Sequence, residues 1–202
     1  MIGIIDYNMG NLGSAVKAFE VMGGNVRLLK SGEELESCDK IVLPGVGNFG
    51  EGMMNLSLLG FTDAIRKFVA SGKPMLGICL GMQMMLSKSE EAPDVEGLGL
   101  LEGVVRRFPD GKEKIPHMGW NDVKRVHPTP LYKASDEEEY FYFVHSYYAE
   151  VTNKDEMLGV TEYIKPFASV IGRDNILGFQ FHPEKSQTAG LKLIKNFIDN
   201  NQ

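Results

Sequence analysis

The stretch Pro74-Met75-Leu76-Gly77-Ile78-Cys79-Leu80-Gly81 constrains the fold more than any other, because an apolar run ends in Gly-x-Cys-x-Gly and passes straight into a helical pattern. That pattern marks a tight strand-to-helix turn, with sulfur where serine oxygen is more usual. Such an elbow lifts one side chain above a sheet and aims it at a pocket. It also sets the side chain at a helix N-terminus, where the dipole favours a thiolate. The competing reading is a buried cysteine whose flanking glycines merely permit close packing.

Around this turn the first half alternates short apolar runs with amphipathic stretches. Strands are expected at residues 1–5, 25–29, 40–43 and 74–78, and helices at 12–22, 61–70 and 80–86. This order argues an α/β fold with a mostly parallel central sheet and helices on both faces. Binding sites in such folds gather at the carboxyl ends of the strands. The loops expected there are Asp6 to Asn11, Pro44-Gly45-Val46-Gly47-Asn48, and the Cys79 elbow.

Beyond about Pro93 the pattern changes to strand-like runs at 98–108, 117–123, 140–151, 158–163, 168–171 and 176–181. Additional antiparallel strands are therefore expected, with Gly172-Arg173-Asp174-Asn175 as a hairpin turn. Ser186 is placed to cap a last helix bearing Leu191, Ile194 and Ile198 on one face. No repeat, low-complexity tract or linker interrupts the chain, so residues 1–202 are read as one domain.

The net charge of -6 gives no concentrated basic face for nucleic acid. The pairs Arg106-Arg107 and Lys124-Arg125 and the acidic run 136–139 read as solvated surface. Two cysteines, Cys38 and Cys79, make no disulfide framework and point to a reducing compartment. No apolar stretch is long enough to span a bilayer, and residues 1–6 read as a strand and not a signal peptide. A cytoplasmic location is expected.

A cysteine nucleophile needs a base, and the base an orienting acceptor. Of the four histidines, His127 lies in a polar turn, and neither His117 nor His145 has an acid beside it. His182 is followed by Pro183-Glu184. If the extended chain continues, His182 and Glu184 share a face, so that Glu184 can fix the imidazole tautomer. The alternative is a surface turn ending a strand. For a developing oxyanion the elbow offers the Leu80 N–H, and the loop at Val46-Gly47 offers a second donor. That loop lacks the G-K-[ST] ending of a phosphate-binding P-loop. Gln83, four residues after Cys79, shares its helical face and can reach a bound substrate. Met82, Met84 and Met85 read as core. Cysteine and histidine spacings fit no metal site, and no cofactor is implied.

Taken together, Pro44-Gly45-Val46-Gly47, Gly77 to Gln83 and Phe181-His182-Pro183-Glu184-Lys185-Ser186 resemble the class I (triad) glutamine amidotransferases. More narrowly, residues 6–12, Pro116 to Asn121 and Tyr140 to Tyr147 resemble the glutaminase subunit family of imidazole glycerol phosphate synthase. The likeness runs from Met1 to about Phe197. One departure is Asn8, where glycine is usual; asparagine tolerates positive φ, so the loop is expected to keep its shape.

The resemblance implies a class I glutamine amidotransferase fold and a Cys79-His182-Glu184 triad that forms a γ-glutamyl thioester from glutamine. It implies Leu80 and one amide of Val46-Gly47 as oxyanion donors. Gln83 and the His145-Ser146-Tyr147 backbone would hold the substrate. It further implies a heterodimer with a (β/α)8-barrel cyclase that takes up the ammonia, making imidazole glycerol phosphate and AICAR in histidine biosynthesis. Asn11, Trp120 and Lys185 are candidates for the partner face. With no acceptor domain in the chain, basal activity is expected to be low until the partner binds. Two competing readings are a glutaminase or γ-glutamyl hydrolase of another pathway, and a non-catalytic binding or redox-sensing domain with a reactive thiol.

Overall fold

A computed structural model describes residues 1–10, 12–111, 113–132 and 139–200. In chain order the first half contains β1 (Ile2–Ile5), α1 (Leu12–Val21), β2 (Val26–Leu29), β3 (Lys40–Leu43), α2 (Phe49–Leu58), α3 (Phe61–Ala70), β4 (Met75–Ile78) and α4 (Leu80–Met84). The second half contains β5 (Lys88–Ser89), β6 (Gly103–Arg107), β7 (His117–Asp122), β8 (Lys124–Arg125), β9 (Tyr140–His145), β10 (Tyr147–Val151), β11 (Met157–Glu162), β12 (Pro166–Arg173), β13 (Ile176–Phe179) and α5 (Gln187–Asp199).

The main sheet runs β2-β1-β3-β4-β13-β12-β10-β6-β5, with β11 paired to β12 and β8. From β2 to β13 every neighbour is parallel. Beyond β13 the pairing turns antiparallel through β12, β10 and β6. Strands β7 and β9 form a separate antiparallel pair.

Strand alternation divides the core between two faces. Ile5, Ile41, Leu43 and Met75 pack with Phe49, Leu56, Phe61, Ile65 and Phe68 of α2 and α3. Ile2, Ile4, Val42, Leu76 and Ile78 pack with Phe19 of α1 and Leu193, Ile194 and Phe197 of α5. Across that second layer the Phe19 and Phe197 rings meet edge-on, 6.3 Å apart. The parallel strands are buried on both sides, which explains their near-continuous apolar runs.

Several boundaries differ from the sequence expectation. Helix α2 was not anticipated: Gly50, Gly52, Asn55 and Ser57 dilute its apolar stripe. Asn48 nonetheless starts it by accepting from the Glu51 N–H at 3.1 Å. The expected run 98–108 is strand only from Gly103. The run 140–151 breaks at Ser146, and its two halves enter different sheets. Helix α4 stops at Met84, so five residues give only a small dipole. Ser186 does not cap α5 through its side chain; its Oγ instead donates to the His182 carbonyl (2.6 Å) and accepts from the Tyr142 N–H (2.9 Å). Helix α5 buries Leu193, Ile194 and Phe197, while Leu191 and Ile198 stay at the margin. Glu139 is not free surface, since it pairs with Arg125 and is only 10% exposed; residues 136–138 lie outside those described. The hairpin expected after Gly172 is present, with Arg173 opposite Ile176.

Candidate active site

Strands β4 and β13 are adjacent and parallel, with Ile78 opposite Phe179. Both therefore deliver their next residues to the same edge of the sheet. The Cys79 N–H completes the ladder on the Phe179 carbonyl at 2.7 Å. The chain then turns sharply, with Cys79 at φ 54° and ψ -109°, a conformation a β-carbon makes strained. Gly81 makes the turn feasible: a β-carbon there would sit 1.8 Å from the Leu43 carbonyl oxygen. In the first loop, Asn8 takes φ 62°, the conformation its side chain tolerates.

His182 and Glu184 come together by a route other than strand alternation. Pro183–Lys185 is a turn of 3-10 helix with Pro183 at its first position. That turn carries Glu184 back so that Oε1 lies 2.8 Å from His182 Nδ1. The His182 N–H donates to the Tyr142 carbonyl at 2.9 Å, and both side chains are more than nine-tenths buried. The other ring nitrogen, Nε2, is buried and makes no complete hydrogen bond within the protein. Burial pulls the His182 pKa down. The neighbouring Cys79 side chain and the Glu184 carboxylate more than offset this, raising it from 6.5 to about 10. The charged ring is thereby set beside the Cys79 sulfur.

Gln180 was missed by sequence reasoning. Its Nε2 lies 3.7 Å from the Cys79 sulfur, and its Oε1 accepts from Gln83 Nε2 at 3.1 Å. The available signal was one amide in the otherwise apolar run 176–181, fully buried here. A buried amide requires partners, so it should have been placed at the site.

Cys79 opens on a cavity of about 310 Å³. Its walls are Val46 and Gly47, then Leu80 and Gln83, then Val144, His145, Ser146 and Tyr147, closed by Glu91 and Pro116. The expected oxyanion and substrate residues therefore meet around one space. Gln83 Nε2 donates to the Tyr147 carbonyl at 2.9 Å, and Glu91 accepts from the Phe49 N–H at 2.7 Å. His182 and Glu184 face a narrow crevice of about 20 Å³, and Val46 lines both spaces. One expected feature is altered: the Leu80 N–H is donated to the Gly45 carbonyl at 3.3 Å, so it is not free for an oxyanion in this conformation.

Trp120 (48% exposed) and Lys185 lie outside the cavity, near each other through Tyr142. Its ring is 6.2 Å from Trp120, and the Lys185 ammonium lies 5.9 Å from its centroid. Asn11 falls outside the described residues. His127 is exposed, and Cys38 is buried, which raises its pKa. Among the described residues no cluster of three or more His, Cys, Asp or Glu could hold a metal ion, and no helix is long and apolar enough to cross a membrane.

A fold of this topology with a cysteine elbow beside a His-Glu pair defines a class, and the comparisons agree. The family model for class-I glutamine amidotransferases matches residues 4–201. The chain is 51% identical over 199 residues to the imidazole glycerol phosphate synthase subunit HisH of Methanocaldococcus jannaschii, covering 98% of this chain and 99% of that one. It is 48% identical over 197 residues to the subunit HisH of Desulfitobacterium hafniense, covering 98% and 93%. Among solved structures, the fold is shared with that of PurLQS from Thermotoga maritima (TM-score 0.80, 19% identity, 98% and 97% covered). It is also shared with a crystal structure of a glutamine amidotransferase (TM-score 0.73, 18% identity, 96% and 98% covered). The chain therefore belongs to the class-I glutamine amidotransferase family and, within it, to the HisH enzymes of histidine biosynthesis.

Proposed function

We propose that residues 1–202 act as one glutaminase domain, hydrolysing glutamine to glutamate and ammonia through Cys79, His182 and Glu184. The Cys79 sulfur attacks the side-chain amide carbon, and the carbonyl electrons move to oxygen. As that oxyanion collapses, the C–N bond breaks and His182 Nε2 gives its proton to the departing ammonia. What remains is a γ-glutamyl thioester. His182, now neutral, takes a proton from water, and the resulting hydroxide attacks the thioester, releasing glutamate and the thiolate. Glu184 holds the ring and stabilises its charged form.

The observation that carries this reading is the meeting of three groups at one sheet edge: the Cys79 elbow, the buried Nε2 of His182, and the 2.8 Å Nδ1 to Glu184 contact. Gln83 and residues 145–147 would hold the amino-acid end of glutamine. Glu91, the carboxylate in the cavity wall, suits its ammonium.

The oxyanion would rest on Leu80 and on an amide of Val46-Gly47. Because the Leu80 N–H is occupied by Gly45, that donor pair has to be assembled by a turn of the loop. Losing one such donor costs about 3 kcal/mol of barrier, so the free chain should turn over glutamine slowly. The trigger would be a cyclase subunit of (β/α)8-barrel form, which receives the ammonia to make imidazole glycerol phosphate and AICAR. Supporting a docking face near the cavity, Met118, Trp120 and Tyr140 leave a half-exposed apolar stripe on β7 and β9. Trp120 and Lys185 are its proposed anchors. The high identity to HisH subunits, against about 20% to amidotransferases of other pathways, favours this acceptor.

The test is glutamate production with and without the cyclase subunit. Cys79→Ala should abolish it in both states, and the unsubstituted chain should be accelerated by the partner. Intact turnover in Cys79→Ala would remove the nucleophile, and equal turnover in both states would remove the proposed gating.

A further inference from the structure

One buried histidine has no part in the chemistry above. His117 of β7 and His145 of β9 are register partners, and His117 Nδ1 lies 2.9 Å from His145 Nε2. Their exposures are only 3% and 6%.

The ends of this chain of contacts decide where its hydrogens sit. A carbonyl can only accept, so His145 Nδ1, 2.8 Å from the Tyr147 carbonyl, carries a hydrogen. Burial holds both rings neutral, pushing the pKa down to about 4 for His117 and about 3 for His145. A neutral ring has one N–H, so His145 Nε2 accepts and His117 Nδ1 must donate to it. His117 Nε2 is then the acceptor, and Asn121 Nδ2 meets it at 3.3 Å.

The far end of the relay is the Tyr147 carbonyl, which also accepts from Gln83 at 2.9 Å. Two donors thus pin the peptide where the chain leaves β9 for β10, and that crossing is the wall of the Cys79 cavity. His117 does not line the cavity. It is held between the rings of Phe143 (4.8 Å) and Tyr163 (4.0 Å).

We propose that His117 is a positioning residue for the substrate: acting through His145, it fixes the Tyr147 peptide and so holds the 145–147 wall in the orientation that receives glutamine. The inference rests on the glutaminase reading. Without the His117 donor, His145 Nε2 becomes a buried acceptor with nothing to accept. The ring relieves this by moving its hydrogen to Nε2 or by rotating, and either change takes a donor from Tyr147.

Two substitutions separate positioning from packing. His117→Phe keeps a flat ring in the stack and removes both hydrogen bonds. His117→Gln can offer an amide N–H to His145 and an amide oxygen to Asn121. With the cyclase subunit bound, His117→Phe should raise the KM for glutamine about tenfold, the equivalent of one lost hydrogen bond, with kcat changed less than twofold. His117→Gln should restore most of the KM. In 15N spectra the His145 hydrogen should sit on Nδ1 in the unsubstituted chain and leave it in His117→Phe. An unchanged KM in His117→Phe overturns the proposal. So does a loss of kcat and KM together with melting temperature that His117→Gln fails to rescue. A chain that hydrolyses no glutamine in any state refutes the glutaminase reading instead, and the 15N measurement still judges the relay.

Discussion

Mild acid should destabilise this fold well above the pH at which carboxylates titrate. His117 and His145 keep folded pKa values of about 4 and 3, against about 6.5 in the unfolded chain. Below pH 6 the unfolded state therefore binds two protons that the folded state refuses. Stability changes with pH by 2.303RT times the difference in bound protons, so the slope is about 1.4 kcal/mol per pH unit for each ring, or roughly 2.7 for both. The sign is a loss as pH falls. His182, with its pKa raised to about 10, is protonated in both states there and does not tilt the window. Between pH 6 and 5, where the unfolded rings go from about three-quarters to fully protonated, the loss of about 2.4 kcal/mol compares with about 5–15 kcal/mol for a whole domain. Urea unfolding at half-unit steps from pH 7 to 5 measures the slope, and His117→Phe supplies the control by removing one proton from the difference. It should flatten the slope to about half. A midpoint that is flat from pH 6 to 5, or a slope identical in His117→Phe, refutes the neutral buried pair.

Glu184→Gln keeps the contact to His182 Nδ1 but not its charge, and glutamate production should fall by roughly 10²–10⁴-fold with little change in melting temperature. Unfolding as well as inactivation would show a structural role instead. Gly81→Ala drives a β-carbon to 1.8 Å from the Leu43 carbonyl, backbone against side chain with no rotamer to relieve it. A cost above about 3 kcal/mol is expected in urea unfolding, and a near-neutral result would contradict the elbow geometry. Lys40→Met removes a buried ammonium that closes the end of α5 by donating to the carbonyls of Phe197 (2.9 Å) and Ile198 (2.6 Å). Scanning calorimetry should show a loss of about 2 kcal/mol, or roughly 4–8 °C; an unchanged midpoint would mean the end of α5 needs no such closure.

What could be read from the letters was local. The Cys79 elbow, the parallel strands and the hairpin at Asp174-Asn175 all announce themselves within a few residues. The expected cavity residues also converged, because they lie at or just beyond the carboxyl ends of β3, β4 and β9. Long-range facts stayed hidden. The pairing of His117 with His145 depends on strand register across 28 positions. The break at Ser146 depends on which sheet claims each half of one apolar run. Gln180 looked like an interruption until its partners from two other elements were in place. Helix α2 escaped because two glycines dilute its period, although tertiary burial of Phe49 and Leu56 overrides their low propensity.

Because β4 and β13 are bonded neighbours, the strand ends that lead to Cys79 and His182, the proposed nucleophile and base, are held at the pitch of a central sheet packed on both sides. That lattice spacing is among the stiffest lengths a protein owns, and no visitor at the rim will stretch it. A partner acting on the proposed site should therefore leave those strand ends where they are and do its tuning in the loops around them.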